Sequence, residues 1–208
     1  MKSLKRINLS FSFLAFALLS QILPSSALAE NMISDQEREL IMFFSFECGS
    51  CHSGMLAMNY TKKSIGGYQR MVPIVTDDIS THKSAALYFM MKLTQSKHQL
   101  SESEMVDIGF QLYPLVKDEN LEPDVYMMLF KKYGLQISLM DFLKAWEATY
   151  VMMGSAKELT QQVRDEKKTF SLPLFRVTYD NETRFVTPDF EKLTLAEFKD
   201  IILSYKGA

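Results

Sequence analysis

The stretch Leu40-Ile41-Met42-Phe43-Phe44-Ser45-Phe46-Glu47-Cys48-Gly49-Ser50-Cys51-His52 decides how this chain is read. It opens with a continuous, aromatic-rich apolar run of strand length, the pattern of a central strand buried on both faces. From Cys51 through His52, Met55, Leu56, Met58 and Asn59 no proline interrupts helical spacing until Gly66-Gly67, so a helix is predicted to start at the cysteines. Cys48 and Cys51 are the only cysteines. A disulfide between them closes nearly the shortest possible loop, so a structural staple explains the pair poorly and redox chemistry explains it better. At the helix start, unpaired backbone N–H groups and the positive end of the dipole favour an anion. They stabilise the Cys48 thiolate, lower its pKa and make it a good leaving group. Stabilising the reduced form also makes the disulfide a stronger oxidant. Cys51, one turn further in, is the expected resolving thiol.

Upstream, Lys2, Lys5 and Arg6 precede an apolar run over residues 9–23, followed by Ala27-Leu28-Ala29. A charged start, a short apolar middle and small residues at a cleavage site predict a signal peptide over 1–29, with Glu30 first after cleavage. The run is short for a membrane span, and the protein is expected to be exported. The 208 residues are 47% hydrophobic and 23% charged, which excludes a disordered or collagen-like chain. A net charge of −2 lacks the basic surplus of a nucleic-acid binder, so no nucleic-acid partner is expected.

Downstream, residues 68–76 read as a second strand, with Pro73 at its beginning or on a sheet edge. The pattern then turns helical for a long stretch. Ser101-Glu102-Ser103-Glu104 is a capping-box pattern, Ser138 and Asp141 open another helix, and Pro114, Pro123 and Gly134 separate helices. After Pro173 the period returns to two. Phe175, Val177 and Tyr179 share a face, Asp180-Asn181-Glu182 turns, and Arg184-Phe185-Val186 returns as the second arm of a hairpin. Thr194-Leu195-Ala196-Glu197 caps a last helix that runs through Phe198, Ile201, Ile202 and Tyr205 to Gly207.

The segment Phe43 to His52 resembles the active-site segment of the DsbA family of periplasmic thiol oxidases, and Ser171-Leu172-Pro173-Leu174-Phe175 matches that family's late proline segment. The resemblance in order and spacing covers nearly all of the chain after the signal peptide. It implies an α/β thioredoxin-like fold, a central mixed sheet flanked by helices, over residues 30–79 and 166–208, with a helical domain inserted over 80–165. It implies a cis Pro173 facing the cysteines, with Leu172 offering its backbone to an extended substrate. It further implies a periplasmic thiol:disulfide oxidoreductase that introduces disulfides into reduced or unfolded exported proteins. Such an enzyme has no cofactor beyond the Cys48/Cys51 disulfide, and a quinone-linked membrane protein reoxidises it. The segment between Glu30 and the first strand is too short for the dimerisation domain of related isomerases, so a monomer is expected.

Departures from the family bear on chemistry. Gly49-Ser50 stands in place of the Pro-His of strongly oxidising members. The Ser50 hydroxyl can donate one hydrogen bond to the thiolate but brings no charge. Glu47 raises the thiol pKa if its carboxylate lies close. Met42 stands where members often carry a buried acid. These features leave a reductase or isomerase as the alternative direction. His52 has three readings: a cation that tunes the thiolate, an ordinary exposed residue, or the iron ligand of a c-type haem motif Cys48-Gly49-Ser50-Cys51-His52. The haem reading predicts an essentially helical module. A chaperone-like binding module with an inert disulfide is a further alternative. Met90, Met91, Met127, Met128, Met152 and Met153 read as core filling, in which adjacent pairs can put one residue inside and leave one at the surface; the alternative is an adaptable apolar groove for unfolded clients or a membrane redox partner. His82 and His98 are assigned to the surface, and no metal cluster is expected.

Overall fold

The apolar run becomes strand β1 (Glu39–Phe44), in which Leu40, Ile41, Met42, Phe43 and Phe44 are all completely buried. The computed structural model describes residues 38–65 and 67–204; the expected signal peptide, Gly66, Tyr205 and the Gly207 cap lie outside the described residues. β1 has a strand on each side in a four-stranded sheet of order β2-β1-β3-β4. Here β2 is Tyr68–Pro73, β3 is Leu174–Tyr179 and β4 is Glu182–Val186. β1 and β2 are parallel and joined by helix α1 (Gly49–Ile65), the crossover that parallel neighbours require. β3 is antiparallel to β1 and β4 to β3, so the sheet is mixed.

The second strand is shorter than its sequence suggests. The Ile74 N–H still donates to Phe44 O at 2.8 Å, but the Val75 and Thr76 N–H groups turn to the hydroxyls of Thr160 and Thr81. Pro73 therefore ends the strand instead of beginning it, and β2 lies on the sheet edge, the other place expected of a proline. In the hairpin, Asp180 and Asn181 have φ of 49° and 64°, the two left-handed residues of a tight two-residue turn. That turn is complete without Glu182, which opens β4 opposite Tyr179.

Between β2 and β3 lie only helices among the described residues: α2 (Ile79–His98), α3 (Glu102–Val116), α4 (Pro123–Lys132) and α5 (Leu139–Lys167). Helix α6 (Leu195–Ser204) follows the hairpin. α2 packs against α3, α5 and β2, while α1 packs against β1, α3 and α6. Met42 and Phe175 face each other across β1 and β3, and Phe175 packs on Phe190 and Phe198 at 6.0 and 5.0 Å between ring centroids. Both capping boxes form, at Ser101/Glu104 and Thr194/Glu197.

Three readings need correction. Pro114 lies inside α3 rather than between helices. It sits near the helix end, where the missing N–H removes a single bond and Lys117 N–H still reaches Tyr113 O at 3.0 Å. Met90 and Met91 are both buried, because α2 has sheet on one side and helices on others; only Met127/Met128 and Met152/Met153 grade from inside to outside. His82 and His98 are half-buried rather than on the surface. A ring nitrogen of His82 contacts Thr76 O at 2.6 Å, and the His98 ring lies 6.2 Å from that of Phe130.

Candidate active site

The chain leaves β1 and makes a tight turn whose geometry sets the first cysteine. The Cys48 N–H donates to Ser45 O at 3.1 Å and the Cys51 N–H to Cys48 O at 3.0 Å, so Cys48 stands immediately before the first helical residue, Gly49. Ser84 of α2 holds the turn from beneath, its hydroxyl oxygen accepting from the Phe46 N–H at 2.8 Å and from the Ser45 hydroxyl at 3.3 Å. Phe46 is buried under α3, with its ring 5.5 Å from Phe44 and 5.0 Å from Phe110. A Cβ at Gly109 would collide with the Phe46 ring, so that glycine lets α3 sit directly on the turn. The inserted helices thus build the wall of the cysteine site.

Cys48 and Cys51 are joined in a disulfide. Cys51 is completely buried, whereas Cys48 is half-buried, so the sulfur within reach of another molecule is that of Cys48. Cys48 stands at the start of α1, where the helix dipole puts partial positive charge. Gly49 is exposed and a Cβ there would meet nothing within 4 Å, so sterics do not require glycine at that position.

The Leu172-Pro173 peptide bond is cis, and Pro173 is buried against α1. Its neighbour there is Gly54, where a Cβ would lie 3.1 Å from Pro173 Cγ, 2.8 Å from Met42 Cε and 3.2 Å from Phe190 Cε2. Reading the sequence missed Gly54; the available signal was a glycine inside a helical pattern, a position that costs about 1 kcal/mol relative to alanine unless packing requires it. Met42 forms an apolar floor at this contact. Ser50 connects the two segments, its hydroxyl lying 3.4 Å from Cys48 Sγ and donating to Leu172 O, also at 3.4 Å.

Glu47 and His52 turn toward the helical insertion. The Glu47 carboxylate accepts from the Ser80 hydroxyl at 3.1 Å. Burial first, then the Glu47 charge, pushes the nearby Tyr113 hydroxyl up to about 12. His52 Nε2 contacts Asp107 Oδ1 at 2.7 Å and the ring lies 4.9 Å from Phe110, so His52 ties α1 to α3. The haem reading calls for an essentially helical module, and the fold is instead built on a four-stranded mixed sheet. Among the described residues no group of His, Cys, Asp or Glu could hold a metal ion, and no helix is long and apolar enough to cross a membrane.

No protein-family model matches this chain, and no curated protein matches it. Solved structures do. The oxidoreductase DsbA from Xylella fastidiosa is 20% identical with a TM-score of 0.59, over 83% of this chain and 88% of that one. The oxidoreductase NmDsbA1 from N. meningitidis is 18% identical with a TM-score of 0.53, over 83% and 86%. The cytosolic disulfide reductase DsbM from Pseudomonas aeruginosa is 11% identical with a TM-score of 0.52, over 80% and 97%. At these identities the likeness is one of fold: a DsbA-like, thioredoxin-type sheet with inserted helices.

Proposed function

We propose that this chain, which folds as the DsbA oxidoreductases do, is a thiol-disulfide oxidoreductase working through Cys48 and Cys51. The observation that carries the reading is a half-buried sulfur at a helix start, paired with a completely buried one and flanked by the Leu172 carbonyl. In the oxidising direction a substrate thiolate attacks Cys48 Sγ. The Cys48–Cys51 bond breaks, Cys51 leaves with the electron pair, and a mixed disulfide joins substrate to Cys48. A second substrate thiolate then attacks the substrate sulfur of that bond, releasing the substrate disulfide and a Cys48 thiolate that the start of α1 stabilises. Cys51 resolves mixed disulfides that stall.

The substrates in this reading are reduced or unfolded exported proteins, the chain acts as a monomer in the periplasm, and a quinone-linked membrane protein restores the disulfide. Gly49, Ser50, Glu47 and His52 tune the thiolate, and Leu172 with Pro173 receives the substrate backbone. A specific observation favours a second direction, reduction or isomerisation: the residue against Cys48 Sγ is a neutral hydroxyl and not a cation, so the thiolate is stabilised less than in a strong oxidant.

Equilibration of the purified protein with graded glutathione, with thiol trapping at Cys48 and Cys51, separates the directions. A potential near about −120 mV supports disulfide donation and one near about −270 mV supports reduction. A pair that cannot be cycled overturns the exchange reading.

A further inference from the structure

Ser50 carries one hydroxyl proton and lies 3.4 Å from two acceptors, Cys48 Sγ and the Leu172 carbonyl oxygen. We propose that Ser50 is a redox-driven selector: its proton rests on Leu172 O in the disulfide form and moves to the Cys48 thiolate in the dithiol form. Reduction thereby releases the Leu172 carbonyl to accept a hydrogen bond from the main chain of an incoming polypeptide. The polypeptide ligand rests on the exchange reading above; the movement of the hydroxyl does not.

The order of acceptor strengths drives the exchange. A disulfide sulfur is a weak neutral acceptor, and beside it the amide carbonyl takes the proton. A thiolate is charged, and hydrogen bonds to ionised groups are roughly twice as strong as neutral ones. Both acceptors stand at the same distance, so rotation of one exposed hydroxyl suffices and no backbone has to move. Leu172 lies outside the strand ladder, whose β1–β3 register begins at Leu174, and is half-buried beside the reactive sulfur. A polypeptide whose cysteine reaches Cys48 brings its own N–H groups alongside this carbonyl, and an N–H donated there extends strand-like pairing. The carbonyl is most open in the dithiol state, the state that attacks a disulfide-bearing polypeptide.

Reduction by a water-soluble phosphine tests the selector without any exchange activity. The phosphine donates two electrons and becomes its oxide, water supplies the oxygen and two protons, the Cys48–Cys51 bond breaks, and the Cys48 thiol then loses its proton to solvent. The Leu172 carbonyl carbon is followed in a carbon-detected spectrum through its bond to the Pro173 nitrogen. In the wild type the resonance moves upfield on reduction as the hydroxyl leaves. In Ser50→Ala it starts at the upfield position and stays there, and the Cys48 thiol pKa rises by about one unit. Ser50→Thr retains the wild-type behaviour. An extended peptide with serine in place of its cysteine binds reduced wild type about fivefold more tightly than oxidised, and Ser50→Ala removes the difference. A wild-type resonance that does not move, or one that moves equally in Ser50→Ala, overturns the selector. Failure to cycle with glutathione strikes the exchange reading alone.

Discussion

Cys48 and Cys51 differ in accessibility, and that difference assigns their chemistry. Replacing Cys51 with serine leaves an accessible thiolate without its resolving partner, so attack of Cys48 on disulfide-bearing polypeptides is expected to leave mixed disulfides that accumulate as the displaced substrate thiolate departs, whereas Cys48→Ser forms none; non-reducing electrophoresis after trapping distinguishes the two. Between them, Ser50 occupies the position from which a cation would act most strongly on the thiolate. Ser50→His is expected to lower the Cys48 thiol pKa by about one unit and raise the reduction potential by roughly 30 mV, measured by thiolate absorbance and glutathione equilibration. A potential unchanged by that substitution would show that the start of α1 alone sets the thiolate's stability. These residues were legible in the sequence because spacing names them. The engagement of Glu47 with Ser80, and of His52 with Asp107, was not: the partners stand 33 and 55 residues away in the chain.

At the scale of elements, α1 is held against the Leu172-Pro173 segment by the absence of a side chain at Gly54. Gly54→Ala gains up to about 1 kcal/mol of helix propensity but forces Met42 and Pro173 apart, an overpacking that costs about 1–3 kcal/mol. The expected result is a protein about 1 kcal/mol less stable in urea and slower in disulfide exchange, since the displaced segment lies beside Cys48. Two other glycines provide contrast, because a Cβ at Gly49 or Gly154 would meet nothing within 4 Å. Gly154→Ala, on the exposed side of α5, is expected to stabilise the protein by about 0.5–1 kcal/mol with no change in exchange rate. Helix starts were readable because their capping residues are local. Pro114 misled, because its effect depends on its distance from the helix end, which the proline itself does not mark.

For the molecule as a whole, two groups in the helical insertion, His98 and Glu102, contribute to acid stability in separate windows. Neither ring nitrogen of His98 has a hydrogen-bond partner among the described residues, and burial holds its imidazole below the ordinary 6.5. The unfolded chain therefore takes up a proton that the folded one resists. His98 contributes full stability above about pH 6.5, which is lost as pH falls toward the folded value. Glu102 acts in a lower window. Burial works to raise its carboxyl, but hydrogen bonds from Lys92 and Lys62 outweigh it and hold the group below 4.5. Its contribution is present above about pH 4.5 and is lost as pH falls further. Urea midpoints measured from pH 7 to about pH 2.5 should fall in two stages, one below about pH 6.5 and one below about pH 4.5. His98→Leu should flatten the first, and Glu102→Gln should reduce the second, which it shares with Glu104 and Glu197, whose carboxyls are held below 4.5 by hydrogen bonds from Ser101 and Thr194; a first stage that survives in His98→Leu would assign it to another group.

The sequence by itself determined the elements and the reactive pair. A buried strand, a helix opening at two cysteines, helices with local caps and a closing hairpin are written in short-range patterns of polarity and turn chemistry, which act within a few residues. Tertiary structure decided what those patterns leave open. It set the sheet order β2-β1-β3-β4, the meeting of Gly54 with Pro173, the bridge from Cys48 through Ser50 to Leu172, and the turning of Glu47 and His52 toward the inserted helices. Each is a contact between segments far apart in the chain, fixed only when the core closes and space and hydrogen-bond partners must be shared.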